Sequence, residues 1–250
     1  MRTVIISGAS SGIGRATADR FAAAGDRVVN LDMAEPEGAG DVTWMRVDVS
    51  DWAAVEAAVA EVHRTQGGPD VVIANAGISV RHGVLELTEQ QARRVCEVNL
   101  LGVLGLWQAA ARRMLPARRG VLLATASVNG HRGYPFYADY NATKAGVSAL
   151  CRTFALELSP YVRVACVTPG AVLTPMQRAE YTDEMLAEVN DRIPAGRHAD
   201  PAEIADAFYF LASEEARFLT GQELIIDGGE TAGATTAILG SAAAALSGTS

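Results

Sequence analysis

Several features that define other classes of protein are missing from this sequence. Basic residues are outnumbered by acidic ones, 21 to 29, which gives a net charge of −8, whereas a nucleic-acid-binding protein normally carries a basic surface. Cys96, Cys151 and Cys166 are odd in number and have no Cys-x-x-Cys spacing. They favour three reduced cysteines in a cytoplasmic protein over a disulfide framework or a metal site.

Long apolar runs are also missing. No stretch combines the length and hydrophobicity of a membrane-spanning helix, and no signal-peptide pattern follows the strand-like first seven residues. The four histidines, His63, His82, His131 and His198, show no metal-ligand spacing. We therefore expect a protein with no membrane, nucleic-acid or metal partner.

The remaining composition predicts a folded α/β protein. Of the 250 residues, 49% are hydrophobic and 20% charged, which is enough for a sizeable core. Strand-like apolar runs lie at Thr3–Ser7, Arg27–Asp32, 42–48, 70–74, 120–126, 162–167 and 223–226. Helical patterns alternate with them at 14–24, 51–65 (capped by Ser50), 88–115, 138–158, 181–192 and 201–213. This alternation predicts a doubly wound, Rossmann-type fold with a seven-stranded, mostly parallel sheet and helices on both faces.

The chain reads as one domain over residues 1–229. Residues 171–200 form a long insertion after the sixth strand, in the position of a substrate lid. The tail at 230–250 is rich in Ala, Gly, Ser and Thr and has no charge after Glu230. It is either disordered or an arm that crosses to another subunit, docking through Ile238, Leu239 and Leu246.

A glycine-rich loop, Gly8-Ala-Ser-Ser-Gly12-Ile-Gly14, joins the first strand to the first helix. Glycines let the backbone approach a pyrophosphate, whose charge is stabilised at a helix N-terminus. The spacing differs from the general Gly-x-Gly-x-x-Gly fingerprint, so an ordinary strand–helix turn is the alternative.

Asp32 ends the second predicted strand, where a carboxylate accepts from both ribose hydroxyls of an adenosine and repels a 2′-phosphate. Ser11 and Met33 are not basic, and Arg15 is the only nearby cation. This pattern favours NAD over NADP. The alternative is a solvated acid at a strand end.

Tyr140 and Lys144 lie four residues apart in a predicted helix, and therefore on one face. A nearby cation lowers the pKa of a phenol, so the pair suits a proton donor and acceptor. Tyr134 and Tyr137 lack a lysine at this spacing. Alone, the spacing also arises by chance in many helices.

In their order along the chain, these motifs resemble the short-chain dehydrogenase/reductase family over residues 1–229. The further parallels are Ser7-Gly8-x3-Gly12-x-Gly14, Asp48-Val49, Ala74-Asn75-Ala76-Gly77 (with Ala74 in place of the family's first Asn) and Pro169-Gly170-x-Val172-x-Thr174. The resemblance implies an NAD cofactor bound by Gly8, Ser10, Ser11, Gly12, Ile13, Gly14, Asp32, Met33, Asp48, Val49, Asn75, Ala76, Gly77, Tyr140, Lys144, Pro169, Gly170, Val172 and Thr174.

The resemblance also implies a catalytic tetrad of Asn99, Ser127, Tyr140 and Lys144. Tyr140 would take the hydroxyl proton while hydride passes to the nicotinamide, and Ser127 would orient the substrate oxygen. Lys144 would hold the nicotinamide ribose, and Asn99 would position a water linking Lys144 to solvent. Asn99 as a buried polar group bonded to backbone and Ser127 as a simple strand-end hydroxyl are the alternatives.

The substrate is expected to be a secondary alcohol or ketone, with a polyol, a hydroxy acid, a cyclic alcohol and a sterol all left open. Polar candidates for binding it are Arg81, His82, Ser127, Asn129 and His131, with Met176 from the lid. These residues suit a polar or anionic substrate, whereas Tyr137, Met176, Tyr181 and Met185 would line an apolar slot. The competing functions are a 3-oxoacyl-carrier reductase, which usually takes NADPH, and a non-catalytic NAD-binding regulator.

Family members are usually tetramers, so the resemblance implies a homotetramer. The helices at 88–115 and 138–158 would then pair with their copies. The small residues Ala142, Ala145, Gly146 and Ala149 are compatible with close helix packing.

Overall fold

The apolar runs form a seven-stranded sheet in the computed structural model, which describes residues 1–38 and 41–233. The strands are β1 (Thr3–Ser7), β2 (Arg27–Asp32), β3 (Val42–Arg46), β4 (Val71–Ala74), β5 (Val121–Thr125), β6 (Arg163–Pro169) and β7 (Gln222–Ile226). Their order is β3-β2-β1-β4-β5-β6-β7, and each neighbouring pair is parallel. The predicted doubly wound, single-domain Rossmann-type fold is confirmed.

Helices cover both faces of this sheet. They are α1 (Gly12–Ala23), α2 (Trp52–Gln66), α3 (Glu89–Cys96), α4 (Gly102–Ala117), α5 (Ala138–Leu158), α6 (Pro175–Glu180), α7 (Asp183–Arg192) and α8 (Pro201–Leu211). None of the helices in the described part of the chain is long and apolar enough to cross a membrane.

Two hydrophobic layers fix the sheet between its helices. Because successive strand residues point to opposite faces, Ile5 packs in the layer that contains Trp107 of α4, whereas Val4 packs in the layer that contains Phe21 of α1 and Phe208 of α8. All five side chains are fully buried. The central strands β1, β2, β4, β5 and β6 carry apolar residues on both faces, which explains their near-continuous apolar runs in the sequence.

The N-cap predicted for α2 is wrong by one residue. Asp51, not Ser50, caps the helix, since its carboxylate accepts from the N–H groups of Ala53 and Ala54 at 3.0 and 3.1 Å. The Ser50 hydroxyl is bonded instead to Asp48 Oδ1 at 2.7 Å. An acceptor at either position can satisfy a first-turn amide, so composition alone did not choose between them.

The single helix predicted over 88–115 is broken by a π-helical turn at Glu97–Leu101. The turn lies between α3 and α4, and Asn99 inside it is fully buried. Single π turns within helices often mark functional sites. Hydrophobic periodicity did not reveal this turn because the apolar pattern continues on both sides of it.

The predicted insertion at 171–200 contains two helices rather than one. Thr174 accepts from Gln177 N at 3.2 Å and starts α6, which the sequence did not predict. The predicted helix at 181–192 begins at Asp183, after a second threonine cap, Thr182. The tail residues Ile238, Leu239 and Leu246 lie outside the described residues.

Candidate active site

The candidate site lies at the carboxyl ends of the parallel strands. The strand order reverses between β1 and β4, and ligands of doubly wound folds bind at such a switch point. A cavity of about 330 Å³ opens there. The expected cofactor residues that line it are Gly8, Ser11, Gly12, Ile13, Asp32, Met33, Asp48, Val49, Asn75, Ala76, Gly77, Tyr140, Lys144 and Thr174.

The glycine loop has the shape of a phosphate cradle. Gly8 has a φ of +68°, which favours glycine. A Cβ on Gly14 would lie 2.0 Å from the carbonyl oxygen of Gly8, so only glycine allows this close packing. The first turn of α1 has no acidic residue, and Ser11 makes no capping side-chain bond. The backbone N–H groups in the first turn of α1 thus suit the pyrophosphate of a dinucleotide.

The Asp32 carboxylate is fixed at one end of the cavity. Its Oδ2 accepts from Ser10 N and its Oδ1 from Ala34 N, each at 3.0 Å. Arg15, the one cation expected nearby, pairs instead with Asp19 at 2.9 Å. The site therefore presents a negative charge where the adenosine ribose of a dinucleotide would lie.

Arg94 lines the same cavity and was not anticipated from the sequence. Its guanidinium contacts Asp48 Oδ2 at 3.1 Å and Ser50 Oγ at 2.8 Å. Burial would raise the pKa of Asp48, but hydrogen bonds from Ser50 and Arg94 outweigh it and leave the pKa below its usual value. No local pattern marks Arg94, since α3 is remote from Asp48 in sequence.

Asn75 links the glycine loop to the centre of the sheet. Its side-chain amide donates to the carbonyl oxygens of Ser7 and Gly8 at 3.2 and 3.0 Å. Its Oδ1 accepts from Thr125 Oγ1 at 2.8 Å. Thr125 also lines the cavity. It was not among the residues predicted from the sequence, although its place at the end of a strand is a usable signal.

Five other expected cofactor residues do not line this cavity. Ser10 and Gly14 shape the glycine loop from behind, and Val172 packs in the core below β6. Gly170 faces the neighbouring cavity described below, and Pro169 ends β6. All five lie in or next to the segments that form the site, but they do not line the first cavity.

Tyr140 and Lys144 lie on one face of α5, as predicted. The Lys144 ammonium lies 5.5 Å from the centre of the Tyr140 ring and donates to the carbonyl oxygen of Thr125 at 2.7 Å. Lys144 is the single lysine of the chain and is only 4% exposed. Burial lowers its pKa to about 8.

The pKa of Tyr140 does not follow the sequence-based expectation. Burial raises it to about 12; the hydrogen bond with Ser127 opposes that rise and the charge of Glu180 adds to it. Lys144 was expected to lower this pKa, yet desolvation of the phenolate outweighs any such effect. Burial also raises the pKa of Tyr134 and of Tyr137, both of which hydrogen-bond to glutamates.

Ser127 begins a short 3₁₀ turn at Val128–Gly130. The Ser127 hydroxyl accepts from the backbone N–H of Asn129 at 3.2 Å. The side-chain Nδ2 of Asn129 donates to Asn141 Oδ1 at 2.8 Å. This chain of hydrogen bonds anchors the turn to α5. Ser127 and Tyr140 are thereby held on adjoining elements.

The Asn99 side chain is fully engaged by neighbouring backbone. Its Oδ1 accepts from Ile78 N at 2.8 Å, and its Nδ2 donates to Ile78 O at 2.9 Å. A longer contact of 3.5 Å reaches Thr143 Oγ1. These contacts match the alternative of a buried polar group bonded to backbone and tie the segment after β4 to α5.

A second cavity, of about 340 Å³, adjoins the first and is covered by α6 and α7. Of the expected substrate residues, Arg81, Ser127, Asn129 and Met176 line it. The expected apolar residues Tyr137, Tyr181 and Met185 also line it, so the polar and apolar walls coexist. The predicted lid at 171–200 contributes further lining residues, namely Gln177, Glu180, Glu188, Val189, Arg192 and Ile193. The lining residues that were not predicted from the sequence are Pro135, Phe136 and Glu230.

The two histidines expected at the substrate do not line this cavity. His131 Nε2 is paired with Glu223 Oε2 at 2.9 Å, because the 3₁₀ turn directs it toward β7. The residue after Arg81, His82, contributes its backbone N–H to Phe136 O at 2.9 Å. Proximity to strand ends in sequence did not determine which way these side chains point.

No group of three or more His, Cys, Asp or Glu side chains among the described residues is arranged to hold a metal ion. The donor set of the first cavity instead consists of loop amides, the Asp32 carboxylate and the Lys144 ammonium. These groups fit the phosphates and ribose hydroxyls of a nicotinamide dinucleotide.

Comparison with known proteins agrees with this geometry. A family model described as enoyl-(acyl carrier protein) reductase matches residues 8–231. Trans-4-hydroxycyclohexanecarboxylate dehydrogenase of Sinomonas cyclohexanicum is 37% identical, over 93% of each chain. A 3-oxoacyl-[acyl-carrier-protein] reductase of Thermotoga maritima is 37% identical, over 91% of this chain and 97% of its own. The structure of Thermoplasma acidophilum aldohexose dehydrogenase superimposes with a TM-score of 0.90 at 29% identity, covering 94% of this chain and 96% of that one.

Proposed function

The chain belongs to the short-chain dehydrogenase/reductase family, and we propose that it transfers a hydride between a secondary alcohol, or the matching ketone, and NAD. The family makes it an oxidoreductase that acts on CH–OH groups and uses a nicotinamide cofactor. The choice of NAD and the roles of individual residues are our proposal.

One observation supports the proposal above the others: Tyr140 lines both cavities. The first cavity has the donors that suit a dinucleotide, and the second has the apolar walls that suit a small organic molecule. A side chain at their junction is within reach of groups bound on either side. A proton donor and acceptor is needed at that point in an alcohol oxidation.

In this proposal, Tyr140 and the residues around it each have a separate role in the reaction. Tyr140 takes the hydroxyl proton as a phenolate, and Ser127 holds the substrate oxygen by a hydrogen bond. Lys144, fixed by Thr125 O, holds the nicotinamide ribose. When bound, NAD supplies the hydride acceptor and a positive charge that favours the phenolate. Asn99 is given no water to position in this proposal, because its side chain is already bonded to Ile78 N and O.

The Asp32 carboxylate favours NAD over NADP in this proposal. Its two backbone hydrogen bonds keep it turned into the first cavity. A 2′-phosphate would meet a fixed negative charge there, and the nearest expected cation, Arg15, is paired elsewhere. A ribose with both hydroxyls would find an acceptor.

The second candidate is a 3-oxoacyl-carrier reductase, favoured by the relative of that name in Thermotoga maritima. A non-catalytic NAD-binding regulator is a third, which the presence of Tyr140, Lys144 and Ser127 disfavours. These candidates predict different results with one assay. A panel of secondary alcohols with NAD or NADP, followed by absorbance of the reduced cofactor, supports the dehydrogenase if NAD is reduced.

The outcomes that oppose the proposal are distinct. Faster reduction of 3-oxoacyl thioesters by NADPH than oxidation of any alcohol would favour the carrier reductase. Cofactor binding by calorimetry without turnover of any compound would favour the regulator. Preference for NADP with alcohols would overturn only the cofactor assignment.

We also propose a homotetramer in the cytoplasm. Ala142, Ala145 and Ala149 on α5 are exposed, as is Leu156, at 83%, which supports a helix face available to another subunit. Gly146 serves the chain's own packing, because a Cβ there would meet Leu100 at 2.8 Å. Light scattering coupled to size exclusion tests the assembly, and a monomer would contradict it.

A further inference from the structure

We propose that Arg81 binds a carboxylate of the substrate, so that the substrates are secondary alcohols carrying an acid group on an apolar, ring-sized body. The inference rests on the proposed function, because Arg81 lines the same cavity as Ser127 and Tyr140. It assigns a carboxylate-binding role to a part of that cavity which does not take part in the proton transfer.

Arg81 is held between aromatic rings. Its guanidinium carbon lies 5.2 Å from the ring centre of Phe136 and 5.2 Å from that of Tyr181. Both contacts are favourable for a cation. One ring comes from the loop before α5 and the other from the lid, so both segments help to position Arg81.

The donors of Arg81 have no strong acceptor in the described part of the chain. Within the described residues its one hydrogen-bond contact is to the sulfur of Met185, at 4.0 Å, and a thioether is a weak acceptor. No carboxylate in that part of the chain forms an ion pair with it. A planar guanidinium in this state matches a carboxylate, which it can bind through two parallel hydrogen bonds.

None of the acids that line the cavity forms an ion pair with Arg81 in the described part of the chain. Glu180 accepts from Tyr137 at 2.6 Å through one oxygen, while its other oxygen is buried without a partner. Glu230 accepts from the Tyr134 hydroxyl, and Glu188 lies 3.9 Å from Arg192. Their charges also disfavour a dianion such as a phosphate, because the three acids outnumber the two arginines of the cavity, Arg81 and Arg192. A monoanion is therefore the better match.

Phe136 shows that this arrangement is built rather than incidental. Its φ of +71° is unusual for a bulky residue, and such backbone strain tends to occur at functional sites. The His82 N–H donates to its carbonyl oxygen at 2.9 Å. This bond joins the residue after Arg81 to Phe136 and keeps the ring against the guanidinium.

The rest of the wall is suited to a carbon skeleton. Met176, Met185, Val189 and Ile193 line the cavity beside the aromatic rings. A volume of about 340 Å³ accommodates a small ring with one acid group, and is near the lower end for ligand sites. The cavity thus combines a proton-transfer end, an apolar wall and one available cation.

The test compares two substrates that differ only in charge. The probes are 4-hydroxycyclohexanecarboxylate, as cis and trans isomers, and the corresponding carboxamides, assayed with NAD. We expect kcat/KM to be higher for the acid by at least about 10-fold, as for one charge-assisted contact. In Arg81→Met the acid should lose roughly 10- to 100-fold and the carboxamide should change little. Arg81→Lys should retain part of the preference.

Arg178→Met is the matched control, since Arg178 is exposed on α6 and does not line the cavity. It should leave both substrates unchanged. Calorimetric binding of cyclohexanecarboxylate and its carboxamide to the protein with NAD gives a readout without turnover. It should show the same preference in the wild type and its loss in Arg81→Met.

Equal kcat/KM and equal binding for acid and carboxamide in the wild type would overturn the carboxylate assignment, even if Arg81→Met does not fold. An equal loss for both substrates in Arg81→Met would do the same. Failure of every secondary alcohol, charged or neutral, would count against the proposed function. In that case the calorimetric preference still decides the role of Arg81.

Discussion

Thr125 joins Lys144 to Asn75. Its carbonyl oxygen accepts from the Lys144 ammonium at 2.7 Å, and its hydroxyl donates to Asn75 Oδ1 at 2.8 Å. Asn75 in turn holds Gly8. One residue at the end of β5 therefore connects α5 to the glycine loop, so that the two halves of the candidate site share one hydrogen-bonded frame.

Replacing Tyr140 by phenylalanine should abolish most of the alcohol oxidation. Loss of a general base lowers the rate by roughly 10²- to 10⁴-fold, while the Asp32 and glycine-loop contacts to a cofactor remain. Steady-state kcat and calorimetric NAD binding are the two measurements. Tyr161→Phe is the control and should keep full activity, because Tyr161 is partly exposed and its ring packs against Arg118.

Replacing Glu180 by glutamine should move the pH profile of oxidation to lower pH. The Glu180 charge contributes to the raised pKa of Tyr140, and removing a negative charge favours the phenolate. The phenolate then forms at lower pH, by about one pH unit or less. The pH dependence of kcat/KM measures this. Glu184→Gln, in the first turn of α7, should leave the profile in place.

The single lysine makes Lys144 directly observable. Because its pKa is lowered to about 8, labelling by an amine-selective reagent should rise with pH and be half-maximal near that value. Mass spectrometry of the peptide containing residue 144 follows it, and NAD should protect. A midpoint near the ordinary lysine value of 10.5 would show that burial does not perturb the ammonium.

Asp32→Asn should weaken the discrimination between NAD and NADP. The amide oxygen can still accept one of the two backbone hydrogen bonds, but the negative charge is lost. A hydrogen bond to a charged group is worth about 1.5–3 kcal/mol, so kcat/KM for NAD should fall by roughly 10- to 100-fold. The value for NADP should rise. Asp206→Asn, exposed on α8 and paired with Arg20, should change neither.

Gly14→Ala should damage the glycine loop. The new methyl group would lie 2.0 Å from Gly8 O and 2.5 Å from Asn75 Nδ2, and overpacking costs about 1–3 kcal/mol. We expect a lower melting temperature and weaker NAD binding. Gly133→Ala meets nothing within 4 Å and should behave as the wild type; equal behaviour of the two variants would refute the crowding.

The sequence by itself determined the order and type of most elements. Apolar runs such as Thr3–Ser7 and Arg27–Asp32 are strands with the predicted bounds, because residues buried on both faces leave a continuous signal. The order of the motifs also indicated the family, and the helical spacing placed Tyr140 and Lys144 on one face of α5. These features depend on neighbours within a few residues along the chain.

Only the tertiary structure decided the environment of each side chain. It turned His131 toward Glu223 and away from the substrate cavity, brought Arg94 to Asp48, and raised the pKa of Tyr140. Burial and long-range contacts depend on how distant segments pack, and periodicity along one segment does not contain that information. For the same reason, the sequence suggested an anionic substrate only as one option. The guanidinium of Arg81 between two rings provides a position where its carboxylate can bind.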